Sequence, residues 1–82
     1  MFDVMQALYE SEINFEIATD WDVGYRVRLG HAYNEKYDAE VWARTAEEAV
    51  DRLRQAAIEN YPNSKFAKDY RKKVALAGVL TD

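Results

Sequence analysis

Two carboxylates separated by a single residue, Asp20 and Asp22, are the nearest this sequence comes to an acid–base or metal-binding pair. Placed around Trp21 at the tip of a hairpin, they would also simply solvate a turn, which is the plainer reading. A calcium loop needs further oxygen ligands at set offsets, and the flanking residues do not supply them. His31 is the only histidine and there is no cysteine, which excludes thiolate metal sites, disulfide frameworks and Cys–His nucleophiles. Beside Gly30, His31 reads as a solvent-facing or turn-bonding residue. Neither Ser11 nor Ser64 has a base or an oxyanion-forming glycine turn nearby in sequence, and three glycines are too few for a phosphate-cradling loop. This inventory predicts no catalysis, no metal and no cofactor.

What remains is charge. The net charge of −4 hides a split along the chain. Residues 1–51 hold twelve acids against four bases, net −8, whereas residues 52–82 hold three acids against seven bases, net +4. Residues 1–25 contain six acids and no base. Carboxylates spaced along a rigid surface can occupy a basic groove built for phosphates, with fast electrostatic association. The predicted acidic interaction surface is Glu10, Glu12, Glu16, Asp20, Asp22, Asp38 and Glu40. Its alternative is cross-strand neutralisation, with Arg26, Arg28 and Arg44 pairing with Glu16, Asp38 or Glu40. A basic patch, Lys65, Lys68, Arg71, Lys72 and Lys73, is the contrary candidate, suited either to nucleic acid or to a solvated helix face.

The elements that must position these groups read as one domain of 82 residues, a length that supports one core. Asp3-Val4-Met5-Gln6 has capping-box spacing and opens a helix over residues 1–12 with Val4, Met5, Leu8 and Tyr9 on its apolar side. From Ile13 the period becomes two. Residues 13–44 read as a three-stranded antiparallel meander, its inward side chains being Ile13, Phe15, Ile17, Thr19 and Trp21, then Tyr25, Val27 and Leu29, then Tyr37, Ala39, Val41 and Ala43. Turns are expected at Asp22-Val23-Gly24 and around Tyr33-Asn34-Glu35-Lys36. Alternation puts Trp42 on the side of Glu40 and Arg44, where it is an interface anchor or is covered by the third helix. Thr45-Ala46-Glu47-Glu48 is a second capping box, opening a long helix over 45–61 with Ala46, Ala49, Val50, Leu53, Ala56, Ala57 and Tyr61 at helical spacing. Asn63-Ser64 caps a basic helix over 64–77 with Phe66, Ala67, Tyr70 and Val74 inward. The tail 78–82 fits no period, so Val79 and Leu80 would add an edge strand, cover the core or bury against another copy in a weak homodimer. The class is α+β.

Helix, three antiparallel strands and helix is the order of the double-stranded-RNA-binding domain. That family's second long helix opens with lysines on phosphate, whereas this one opens with Glu47 and Glu48, which repel it. The strands running into Thr45-Ala46-Glu47-Glu48-Ala49 and on to Leu53 are similar to HicB-like antitoxins, which neutralise a small RNA-cleaving toxin. Over most of the chain, Ile13-Asn14-Phe15-Glu16-Ile17, Asp20-Trp21-Asp22, Val27-Arg28-Leu29-Gly30, Thr45 to Ala49, and Tyr61-Pro62-Asn63-Ser64-Lys65-Phe66-Ala67 resemble small phage and prophage proteins, among them anti-CRISPR proteins that mimic nucleic acid. That resemblance implies a non-enzymatic inhibitor whose partner is a basic nucleic-acid-handling protein or complex. No apolar run approaches the ~20 residues of a membrane span, and Met1-Phe2-Asp3-Val4 lacks the basic start of a signal peptide. Cytoplasmic location is the expectation, with no membrane partner.

Overall fold

Thr45 starts the element that organises the rest. Its hydroxyl accepts from the Glu48 amide at 3.1 Å, and the helix it caps presents Ala49, Leu53, Ala56 and Ala57 at spacings of three and four, all buried. The computed structural model describes residues 2–32 and 34–81, with side chains described as far as Leu76. Tyr33 of the expected turn and Asp82 of the expected tail lie outside the described residues. The order is α1 (Val4–Glu10), β1 (Phe15–Asp20), β2 (Gly24–Leu29), β3 (Ala39–Ala43), α2 (Ala46–Asn60) and α3 (Lys65–Thr81). This is an α+β chain: a helix, an antiparallel meander in the order β1-β2-β3, then two helices.

Alternation along the strands decides which face is covered. Val27 and Leu29 of β2 and Ala43 of β3 are buried, and Phe15, Ile17, Tyr25, Ala39 and Val41 pack around them. The two small alanines of β3 let α2 lie close across β2 and β3. Phe66 at the start of α3 and Leu8 of α1 complete the core from beyond α2. The opposite face of the sheet carries Glu16, Ala18, Arg26, Arg28, Glu40 and Trp42, none of them buried.

Several expected placements change. Val4 and Leu8 are the buried stripe of α1, whereas Met5 and Tyr9 are exposed, because a seven-residue helix presents only its i, i+4 pair to α2. Ala46 is exposed in the first turn of α2. β1 begins at Phe15, two residues later than the pattern of alternation predicts, although Ile13 still packs on the core. Thr19 and Trp21 are exposed. The strand ends at Asp20, and the Val23 amide donates to the Asp20 carbonyl at 2.9 Å, so Trp21 lies in a tight turn where the two-residue period no longer holds. Tyr37 precedes β3 and lies under the Arg28 guanidinium, 4.8 Å from its ring centroid, on the outer rather than the core side. Val74 is 50% exposed because α3 has left the core by then. The segment 78–81 continues α3 as helix instead of forming a tail, which removes the edge-strand reading of Val79 and Leu80. Gly78 makes a helix less favourable without interrupting its hydrogen bonds.

Candidate functional site

The structure divides six of the seven candidate acids among three settings and leaves Glu10 on α1 apart from them. In the first, on the outer sheet face, Glu16, Arg28 and Glu40 stand directly opposite one another across the three strands. Arg28 bonds Glu40 at 2.5 Å and approaches Glu16 at 3.6 Å, while Arg26 reaches Glu16 at 3.4 Å. The Glu40 bond is the main cause holding Arg28 above its ordinary pKa. Cross-strand neutralisation therefore occurs for Glu16 and Glu40, and these two carboxylates are already compensated within the fold.

In the second setting, at the end of the sheet formed by Asn14, Gly30 and Asp38, an open groove of about 460 Å³ brings together side chains that sequence separates. The Tyr61 phenol donates to Asp38. Asn14 Nδ2 lies 2.9 Å from His31 Nε2, so His31 bonds a neighbouring loop as a turn histidine would. Lys36 lines the same groove, and Glu12, at the C-terminal end of α1, stands on its rim. Burial first, then the hydrogen bond and negative charge of Asp38, push the Tyr61 phenol up to about 12. A phenol held so firmly protonated is a donor and a strut, not a base. Ser64 is equally committed: its hydroxyl donates to the Tyr61 carbonyl at 2.7 Å and accepts from the Ala67 amide at 3.1 Å, capping α3. The groove thus holds two satisfied pairs and a cap, with no nucleophile beside a base among the described residues. Tyr61 reads in sequence as a core residue of the long helix. It does pack against the core, and its position one residue after Asn60 and before Pro62 is the signal that it also closes the helix.

The third setting is the β1–β2 hairpin tip, at the far end of β1, ~17 Å along the strand from the groove. Trp21 is 95% exposed between Asp20 and Asp22, and Val23 beside it is 58% exposed. A hydrogen bond that the protonated Asp20 donates to Asp22, helped by desolvation, raises Asp20 above its ordinary 3.8, and the charge of Arg26 opposes this. Gly24 holds the tip against β3. At φ +133° its backbone is left-handed, and a Cβ there would meet the Ala43 carbonyl oxygen at 2.5 Å. Trp42 stands opposite Arg26 on the outer face, 43% exposed and uncovered by α3. Two tryptophans therefore face solvent near the same end of the sheet. Glu10, remote from this tip, accepts from Gln6 within α1.

On α3, Lys65 pairs with Asp69 at 2.7 Å, and Arg71 donates to the Pro62 carbonyl. Lys68, Lys72 and Lys73 are exposed and make no ion pair among the described residues. No three His, Asp or Glu side chains converge on a metal-sized point among the described residues. No described helix is long and apolar enough to cross a membrane.

No family model, curated protein or solved structure matches the chain. Functional inference therefore rests on the geometry of its surfaces.

Proposed function

We propose that this chain is a non-enzymatic protein-binding domain that works through the β1–β2 hairpin tip, and that its specific role is to inhibit a nucleic-acid-handling complex by occupying a basic surface. The observation that carries the reading is Trp21, 95% exposed on a closed turn between two carboxylates. A large aromatic held in water has much to gain from a partner pocket, and tryptophan is enriched among residues that dominate interfaces. Asp20 and Asp22 add attraction toward a positive rim and speed the encounter. Trp42, on the outer face near the tip, extends the apolar contact. Glu16 and Glu40, compensated by arginines, contribute little net field, and Glu10, Glu12 and Asp38 lie away from the tip, so the acidic surface of this reading contracts to Asp20 and Asp22. A phage-encoded anti-CRISPR protein acting in the bacterial cytoplasm is the specific case that such a surface suits.

A second reading has its own support in Lys68, Lys72 and Lys73, which are free to meet phosphates. The test sets the two surfaces against each other. Proteins retained by the immobilised chain are identified and purified, and affinity is measured against salt for the parent, for Trp21→Ala with Asp20→Lys and Asp22→Lys, and for a chain with Lys68, Arg71 and Lys72 neutralised. Expected are a basic partner, affinity falling as salt rises, loss in the tip variant, and no binding of free DNA or RNA. Loss confined to the α3 variant, with free nucleic acid bound, would transfer the function to α3. A small ribonuclease as the partner would favour the HicB-like antitoxin reading.

A further inference from the structure

Helix α3 leaves the body of the domain part-way along its length. Phe66 and Ala67 are buried, and Tyr70 is half-buried against Phe2, with ring centroids 5.4 Å apart. From Arg71 to Leu76 every side chain is exposed. This stretch has no core contact to hold it, and short helices are marginal in water by themselves. It carries Arg71, Lys72 and Lys73 together with Val74 and Leu76, which are 50% and 57% exposed. The hairpin tip has the reverse polarity: Asp20 and Asp22 with the exposed Trp21 and Val23. Each surface pairs full charges with unburied apolar area, and the signs are opposite.

We infer that the exposed arm of α3 docks on the hairpin tip of a second copy of the chain. A phosphate backbone would satisfy the cations and leave Val74 and Leu76 in water, and it would be repelled by the net −8 of residues 1–51. The tip satisfies both features. Two chains related by a two-fold axis make the contact twice, tip to arm and arm to tip, which closes the assembly. A contact made by a few side chains on each surface belongs to the transient class, below about 1,200 Å², so association is weak and weakens further in salt. The inference shares the tip with the proposed docking reading and adds regulation to it, since a tip held by a second copy is not open to a partner.

The test is sedimentation of the full chain from micromolar to millimolar concentration at low and high salt, with charge-reversed variants whose helicity is checked by circular dichroism. The tip variant carries Asp20→Lys and Asp22→Lys, and the arm variant carries Arg71→Glu, Lys72→Glu and Lys73→Glu. The parent is expected to self-associate and each variant alone to be monomeric. An equimolar mixture of the two variants should associate again, because the lysine tip of one meets the glutamate arm of the other while the unaltered tip and arm also pair. A milder arm variant, Lys72→Gln with Lys73→Gln, should weaken parent-type association about tenfold without placing acids near the helix end. A parent that stays monomeric throughout overturns the inference, as does a mixture that fails to associate. A monomeric parent that retains a single-stranded oligonucleotide, with loss only in the arm variant, also overturns it and assigns the arm to phosphates. None of these failures touches the partner assay on the tip variant, so the two proposals fall separately.

Discussion

The Tyr61 hydroxyl donates to the Asp38 carboxylate, joining the residue that closes α2 to the residue that precedes β3. Gly30 lies directly beneath this bond. A Cβ there would stand 2.5 Å from Asp38 Oδ2 and 3.0 Å from Tyr61 Oη, on a backbone at φ +88°. Gly30→Ala is therefore expected to cost about 1–3 kcal/mol through strain and displacement of the bond. Urea unfolding measures it, and an unchanged midpoint would mean that the strut is not part of the stable fold.

Tyr61→Phe should cost about 1 kcal/mol at neutral pH and change the alkaline limb of stability. The folded protein favours the protonated phenol, raised from 10.0 to about 12. Its contribution is complete below pH 10 and is lost as pH rises through about 12. Stability of the parent should therefore fall faster than that of Tyr61→Phe across this window, and parallel curves would show that the hydroxyl is not held.

At the tip, Asp20 should titrate above 3.8, because its hydrogen bond with Asp22 is the largest cause of the shift. Asp22→Ala should bring the midpoint down toward the ordinary value, because only desolvation and the opposing charge of Arg26 then remain. Carboxyl carbon chemical shifts followed against pH give both midpoints. An unmoved Asp20 midpoint would show that the two carboxyls do not share a proton.

Glu12 occupies a left-handed backbone at φ 59°, where the Ile13 amide donates back to the Leu8 carbonyl at 3.0 Å and closes α1. Glycine is the residue suited to this closure. Glu12→Gly is expected to stabilise by up to about 1 kcal/mol by relieving the left-handed cost. A destabilised variant, read by thermal melting, would mean that the Glu12 side chain holds the groove rim.

Caps and core test the long helix. Thr45→Ala should lose about 1 kcal/mol with its hydroxyl. Glu48 does not complete the reciprocal half of the capping box; it accepts from Arg52 at 3.0 Å instead. Glu48→Ala should therefore cost only a few tenths of a kcal/mol. Leu53→Ala, at a fully buried position, should cost about 2–5 kcal/mol. Equal effects at Thr45 and Glu48 would show a complete box in solution.

The elements were legible in the sequence because local chemistry determines them. Period-two alternation around Val27, three-and-four spacing through Ala49, Leu53 and Ala57, and the Thr45 cap each act within a few residues. Alternation also puts Glu16, Arg28 and Glu40 on one face, whereas the register that sets them in one row came with the strand pairing. Tertiary structure alone decided where alternation stops, because the turn that throws Trp21 outward depends on how the strands close. It alone assembled Tyr61, Asp38, Gly30, Asn14 and His31, contributed by four separate segments whose approach no spacing encodes. It also decided where α3 departs from the core, because a helical pattern such as that of Phe66, Tyr70 and Val74 specifies a face and not the length of surface available to cover it.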